Sequence, residues 1–479
     1  MEQVKPKVIL VNPPKDREEQ DYYTEFLPLN LIALYTRLKL AEIDVEIIDS
    51  LPGTREIDDI IAKIEGVREK VLIIGISLYQ STYENTIKLA EYCKKMAADT
   101  NKKIMVVIGG VNTSLFGEMY MQMHGDILDG AIKGHGEDAL IALAQGKKPS
   151  NLVTVEEVIN GTNVKPNYNT DLDLGFPYDY SALNLENYWQ FGEKMFSGRG
   201  SRFNVDELNR PLLINTHRGC YLSCETSKIR RKCIFCGQRE YNWSAIDPTK
   251  FWEVLKEVME ETGANSISDL GDNFVGNKEW FMELIKNKPK DFKYPFKYVF
   301  ASSDMLCDED IVRALAEKLN LHAVLNSIEH GDEDCQRMLG KRYTSEQTAK
   351  SLRLLEEYQI ASRLSFVIGA PKNNSFSGES EKTLANFVEF AKKIAERKCI
   401  QLILGNVLEP SPGSKVYHMM MKSGNYRAKY KELMPRVDQK LMASHYFEQF
   451  TQISFDRAVE SMTQIMNLFP DEVIKGETV

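Results

Sequence analysis

The sequence has no apolar run long enough to cross a bilayer. Its longest runs, such as Val71–Leu78, stop far short of the roughly 20 residues that a helical span requires. Nor is positive charge in excess. Across 479 residues the formal net charge is −9 and the sequence pI about 5.6. That balance argues against a protein whose main business is bulk binding to nucleic acid or to a membrane surface. Met1–Pro14 shows no apolar region flanked by a small-residue cleavage site, so no secretory signal is read and a cytoplasmic protein is expected. The phosphate-cradling P-loop, the H-E-x-x-H zinc helix and the G-x-S-x-G nucleophile elbow are all missing. Histidine is scarce, with seven in the chain and none in the first 120 residues.

The length suits two to three domains. Over 1–150, short β-branched runs alternate with helical patterns. Val8–Val11, Val45–Ile48, Val71–Leu78, Ile104–Ile108 and Ala131–Lys133 read as buried parallel strands. Between them lie helical segments at Leu29–Leu40, Glu56–Ile64, Tyr83–Met96 and Glu137–Leu143. This alternation predicts an α/β, doubly wound, Rossmann-like domain with its ligand crevice at the strands' carboxyl ends. Residues 151–210 turn rich in Asn, Pro, Asp, Gly and Tyr with no sustained period, and read as a linker packed by its aromatics. From Leu212 the alternation resumes. Six strand–helix repeats across 211–406 predict a partial (β/α)6 barrel, with its chemistry at the strand carboxyl ends. Residues 407–479 read as a helical extension.

Four of the eight cysteines fall within seventeen residues, directly after the first barrel strand. The run is Arg218-Gly-Cys220-Tyr-Leu-Ser-Cys224-Glu-Thr-Ser-Lys-Ile-Arg-Arg-Lys-Cys233-Ile-Phe-Cys236-Gly237. In a reducing compartment, thiols this dense read as metal ligands rather than as disulfides. Two metals fit. Cys220-x3-Cys224 with Cys233-x2-Cys236 suits a four-thiolate structural zinc. Three cysteines on a [4Fe–4S] cluster leave one iron open, much as a catalytic zinc keeps a vacant position. Placement favours the cluster, because a zinc knuckle has no reason to sit at the chemical end of a barrel. Cys93, Cys307, Cys335 and Cys399 stand alone and read as small buried apolar residues.

The pattern Arg-Gly-Cys…Cys-x-Phe-Cys-Gly resembles the cluster loop of radical S-adenosylmethionine (SAM) enzymes. Further likenesses follow in order: Asp272-Asn273-Phe274 after the second strand, Ile328-Glu329-His-Gly331 with Gln336–Lys341, Phe366-Val-Ile-Gly369-Ala-Pro371, and Pro410-Ser-Pro-Gly413-Ser. The spacing departs from the usual Cys-x3-Cys-x2-Cys. Resemblance to a subgroup with a longer first spacing implies Cys220, Cys233 and Cys236 as cluster ligands, with Cys224 as the alternative. It also implies that Phe235, Asp272, Asn273, Glu329, Gly369 and Pro371 meet SAM, Glu329 near a ribose hydroxyl. His330 reads as a hydrogen-bonded structural histidine. The insert 225–232 carries four basic residues and one acid, a solvated loop or one that greets an acidic substrate.

Gly134-His-Gly136-Glu-Asp-Ala139 mimics a dinucleotide fingerprint, but it follows the fifth strand rather than the first. The first domain resembles instead the cobalamin-binding domain that precedes many radical SAM barrels. Its matching stretches imply contacts from Asn12, Pro13, Ser77, Leu78, Tyr79, Gln80, Gly109, Gly110, Gly134, Gly136 and Glu137. The Asp-x-His-x-x-Gly motif for a cobalt-ligating histidine is missing. Together the resemblances imply a cobalamin-dependent radical SAM enzyme that uses a [4Fe–4S] cluster, SAM and cobalamin to methylate an unactivated carbon. Ring closure, rearrangement, epimerisation or other transfer without net methylation is the first alternative, and a non-catalytic cobalamin- or metal-binding module the second. The implied partners are a small-molecule or peptide substrate and an external electron donor such as flavodoxin or ferredoxin. Neither nucleic acid nor membrane is expected. Substrate identity and oligomeric state are not legible.

Overall fold

Buried β-branched runs form the first sheet as the pattern predicts. Its strands are β1 (Lys7–Asn12), β2 (Val45–Asp49), β3 (Val71–Ser77), β4 (Lys103–Gly109), β5 (Gly130–Ile132) and β6 (Leu152–Val153). They lie in the order β2-β1-β3-β4-β5-β6, parallel except for the β5–β6 pair. The order reverses at β1 and β3, where doubly wound sheets open their ligand crevice. Helices α1 (Leu29–Leu40), α2 (Ile57–Glu65), α3 (Tyr83–Asp99), α4 (Val111–His124) and α5 (Glu137–Ala144) connect the strands. Helix α2 buries Ile57, Ile60 and Ile64, the single apolar stripe expected of a surface helix. Helix α4 is not foreseen by the sequence pattern. It is kinked at Phe116, and its methionines and aromatics do not line up on one face.

The computed structural model describes residues 5–16, 27–50, 56–168, 177–196, 207–224, 232–237, 243–341, 343–422 and 439–478. It divides into two units, Met1–Met195 and Phe196–Val479. The stretch read as a linker therefore belongs largely to the first unit. It adds β6, α6 (Val155–Ile159) and α7 (Leu185–Phe196), and buries Tyr178, Tyr180, Tyr188 and Trp189. The Asp179 N–H donates to Thr36 Oγ1 of α1 (2.8 Å), and the Tyr188 hydroxyl to Asp49 at the end of β2. Aromatic density here reflects packing against the first domain, not a spacer.

In the second unit the strands are β7 (Pro211–Ile214), β8 (His217–Arg218), β9 (Ser244–Ala245), β10 (Ser266–Asp269), β11 (Phe296–Ser302), β12 (Ala323–Glu329), β13 (Ala361–Ile368), β14 (Ile400–Val407) and β15 (Ile474–Thr478). Seven of them form a parallel sheet in the order β7-β10-β11-β12-β13-β14-β15, and β8 pairs with β9 apart from it. Helices α8 (Pro248–Thr262), α9 (Lys278–Lys286), α10 (Glu309–Glu317), α11 (Glu333–Met338), α12 (Ser345–Glu357), α13 (Glu381–Ile394) and α14 (Lys415–Lys422) pack around it. Local signals set their ends. Helix α8 opens on an Asp247 cap with Pro248 at its first position and closes on Gly263 at φ +71°. The extension is helical at Gln439–Phe450 and Phe455–Met466, but its last residues return as strand β15. That seventh strand was not expected, because Ile474-Lys-Gly-Glu-Thr478 carries almost no apolar signal.

Close packing under this sheet is tight at Gly331. A Cβ there would lie 2.7 Å from the Phe387 ring and 2.9 Å from the Phe387 Cα. Gly331→Ala should cost the second unit about 1–3 kcal/mol and lower its thermal unfolding midpoint by a few degrees. An unchanged midpoint would mean that α13 yields without strain.

Candidate functional site

The carboxyl ends of the central barrel strands enclose a cavity of about 190 Å³. Its walls include Cys220, Cys233, Phe235, Cys236, Asp272 and Asn273, all singled out from the sequence. Cys224 is not part of the wall: it is 1% exposed, and its thiol donates to the Tyr221 carbonyl (3.1 Å). Two distant segments pin the closing pair. Ile234 N–H donates to Leu339 O (3.1 Å), and Val416 N–H to Ile234 O (3.1 Å). Gly340, at φ +90°, lets this happen, since a Cβ there would lie 2.5 Å from Lys232 O and 3.0 Å from Cys233 Cα. Burial, with Asp272 and Cys233 nearby, pushes the Cys220 thiol up to about 12. A thiolate at that position therefore calls for a cation to take its charge. All eight cysteines are free. Most of the basic insert, residues 225–231, lies outside the described residues.

Asn273 supplies a second sign of an occupant. Its Nδ2 donates to Ser302 Oγ (3.2 Å), while its buried Oδ1 has no partner among the described residues. Buried acceptors are rarely left unpaired without cause. The donor set thus fits a thiolate-held cluster with a hydrogen-bond-donating ligand beside it.

Glu329, Gly369 and Pro371 are not cavity walls. Glu329 ends β12 at φ +65°, a strained conformation for a residue with a side chain. Its Oε1 lies 3.0 Å from Lys341 Nζ, so the carboxylate expected near a ribose is engaged by an ammonium. Lys341 does line the cavity, and its Nζ sits 6.0 Å from the Phe235 ring centre. Burial works against its charge, but the neighbouring Cys233 and Glu329 raise its pKa well above the ordinary lysine value. Nothing in the turn Gly340-Lys-Arg-Tyr343 marks Lys341 as buried, so sequence reasoning misses it. Gly369 ends β13 at φ +128°. Its N–H and that of Ala370 donate to Glu379 Oε2 (3.2 and 3.3 Å), and its carbonyl accepts from Tyr446 OH (2.8 Å). Burial works to raise the Glu379 carboxyl, but His330, Thr383 and the Gly369 N–H together hold it at about 2. His330 Nε2 lies 3.2 Å from Glu379 Oε2, and its Nδ1 accepts from Asp332 N–H (2.9 Å).

In the first unit, the residues assigned to cobalamin gather along one edge of the sheet. Asn12 ends β1, Ser77 ends β3 ahead of Leu78-Tyr79-Gln80, Gly109 ends β4 with Gly110 following, and Gly134-x-Gly136-Glu137 follows β5. Pro13 and Leu78 are buried beneath that edge. Asn12 Nδ2 donates to Asp49 Oδ1 (2.7 Å), and Asn30 Nδ2 to Ser77 Oγ (3.1 Å). Gly110 adopts φ +102°, and a Cβ there would sit 3.2 Å from Leu78 O. Tyr79 and Val111 are 39% and 55% exposed at the same edge. Bare backbone beside exposed apolar surface suits a large planar ligand.

The B12 binding domain family matches residues 21–144, and the radical SAM superfamily matches residues 226–391. The chain therefore carries a B12-binding domain and a radical SAM domain. Its cofactors are accordingly cobalamin, a [4Fe–4S] cluster and SAM. An uncharacterized methyltransferase of Pyrococcus horikoshii is 24% identical over 428 residues, 86% of this chain and 82% of that one. Among solved structures, OxsB with aqua-cobalamin bound superposes with a TM-score of 0.63 at 16% identity, over 93% of this chain and 57% of that one. The chain thus spans little more than half the length of OxsB. TsrM from Kitasatospora setae, with cobalamin and a [4Fe–4S] cluster, gives 0.60 at 16% identity, over 87% of this chain and 75% of that one. At these identities the two structures speak for the fold. No helix among the described residues is long and apolar enough to cross a membrane.

Cys220→Ala, Cys233→Ala and Cys236→Ala should each lose the iron of the reconstituted protein, and with it all SAM cleavage. Cys224→Ala should keep it. Iron analysis and electron paramagnetic resonance (EPR) of the reduced protein check both; iron lost from the Cys224 variant would move that residue into the ligand set.

Proposed function

We propose that the enzyme methylates an unactivated carbon of a small-molecule or peptide substrate. One observation carries this function: a barrel cavity walled by three thiols, with a fourth held away from it, in a chain that also has a B12-binding domain. Likeness to the Pyrococcus horikoshii methyltransferase over 86% of the chain directs it toward methyl transfer. When bound, the cluster, SAM and cobalamin supply radical-forming and methyl-donating chemistry.

The chain's own residues hold, orient and exclude. Cys220, Cys233 and Cys236 hold iron and leave one position for SAM. Asp272 and Asn273 offer acceptors to an ammonium, and Lys341 offers a buried cation to a carboxylate. Phe235 gives a flat apolar face, while Phe300 and Leu325 in the wall keep water from the reacting carbon. Glu329 reaches a ribose hydroxyl only by sharing its carboxylate with Lys341. A one-electron donor such as flavodoxin or ferredoxin completes the assignment, and a cytoplasmic setting keeps the eight free thiols reduced.

The test is a product assay on protein reconstituted anaerobically with iron, sulfide and hydroxocobalamin under strong reductant. Both 5′-deoxyadenosine and S-adenosylhomocysteine should form, the second only with cobalamin. Deoxyadenosine alone would replace methylation by another radical outcome, such as ring closure or rearrangement. Neither product from cluster-loaded protein would overturn the catalytic assignment.

A further inference from the structure

The turn after β10 carries Asp272 and Asn273, and it is fastened from below at two points. Asp269, fully buried at the end of β10, accepts Gly271 N–H on Oδ1 (2.8 Å) and Thr216 N–H on Oδ2 (2.9 Å). His217, 2% exposed, accepts Asn273 N–H on Nε2 (3.2 Å). A ring nitrogen that accepts carries no proton, so the proton of the neutral ring sits on Nδ1, 3.1 Å from Thr216 Oγ1. Burial lowers the imidazole pKa to about 4 and keeps it neutral at physiological pH. Trp243 and Trp280 flank the ring, with centroids 6.3 and 6.1 Å away. Between the two fastenings stands Gly271, where any side chain would run into the His217 ring.

Asn273 is engaged at its polar atoms other than Oδ1, its main-chain carbonyl by the Gly276 N–H (2.9 Å). Its main-chain N–H goes to His217 and its Nδ2 to Ser302, so the Oδ1 is left for a donor from the cavity. An ammonium is such a donor. We propose that His217 is a positioning residue, whose Nε2 holds the 272–273 peptide so that Asn273 Oδ1 meets the amino group of SAM. The proposal rests on SAM occupying the cavity, as assigned above. The sequence hides this role, because a lone histidine before Arg218-Gly-Cys220 is indistinguishable from core packing.

Three variants separate positioning from packing. His217→Gln keeps an acceptor within reach of the Asn273 N–H, whereas His217→Phe keeps the ring shape in the aromatic surroundings and loses the acceptor. Thr216→Val keeps shape but removes the hydroxyl that Nδ1 faces. SAM affinity is read from the change SAM causes in the EPR signal of the reduced cluster, at matched iron content. His217→Gln should bind within about threefold of the parent, and His217→Phe about tenfold or more weaker, the scale of one lost buried hydrogen bond. Thr216→Val should bind several-fold weaker with its iron retained, and it decides the matter if His217→Phe takes up no iron. A packing role would give the reverse order, Phe near the parent and Gln impaired, and would overturn the proposal, as would unchanged affinity in Thr216→Val. If the parent protein itself, fully loaded with iron, leaves the signal unchanged on adding SAM, the assignment of the cavity fails first and takes this proposal with it.

Discussion

Three carboxylates buried at the carboxyl side of the barrel strands hold the second unit's working edge in place. Asp269 ends β10, Glu329 ends β12, and Glu379 lies just beyond β13. Each pays a desolvation cost that only donors can offset. Asp269 has the Thr216 and Gly271 N–H groups and the Thr216 side chain, and burial leaves its carboxyl raised to about 6. Glu379 adds a histidine and a threonine hydroxyl, and is held at about 2. Glu329 relies on Lys341. The difference shows what these groups are for: their oxygens are committed to loop backbone or to a neighbouring cation, and those of Asp269 and Glu329 fix residues beside or in the wall of the thiol cavity.

The same economy explains why the cysteine loop tolerates its unusual spacing. Cys220 leaves β8 directly, and Cys233–Cys236 is clasped from Leu339 on one side and Val416 on the other. Cys233 and Cys236 are therefore positioned by segments more than a hundred residues further along the chain. Length in the run between Cys224 and Cys233 costs little chain entropy once both ends are fixed. A motif read strictly by spacing misjudges it for that reason.

Much of this was legible beforehand, and the gaps have physical causes. Strands such as Val71–Ser77 and Ala361–Ile368 announce themselves because burial on both faces demands continuous apolar residues. Strand β15 does not, since an edge strand can pair through its backbone while its side chains stay polar. The segment 151–195 misled because aromatic and turn-rich composition describes a packed irregular layer as well as it describes a linker. At the site, a resemblance to a known loop is what singles out Phe235, Asp272, Asn273 and the thiols in the sequence, and all of these but Cys224 line the cavity. Lys341, His217 and Glu379 were not singled out. Their importance comes from long-range contacts, 341 to 329, 217 to 273 and 379 to 369, and a single sequence carries no record of contact.

Among the described residues, two groups of thiol and titratable side chains invite a metal, and geometry tells them apart. His330, Cys335 and Glu379 bring a nitrogen, a sulfur and an oxygen within 4.8 Å of one another, all buried. Yet His330 Nδ1 accepts the Asp332 N–H, so Nε2 holds the ring proton and has no lone pair to give. Glu379 already receives the Gly369 and Ala370 N–H groups and the Thr383 hydroxyl. Burial and the Glu379 charge push the Cys335 thiol far above its ordinary range. Glu379 is thus already committed to the fold, and His330 Nε2 faces it at 3.2 Å. Around Cys220, Cys233 and Cys236 there is instead a cavity, and the buried Asn273 Oδ1 in its wall has no partner among the described residues. Proximity of ligand atoms is thus a poor guide to a metal site, and what distinguishes one is the bonding capacity left over when the protein has satisfied itself.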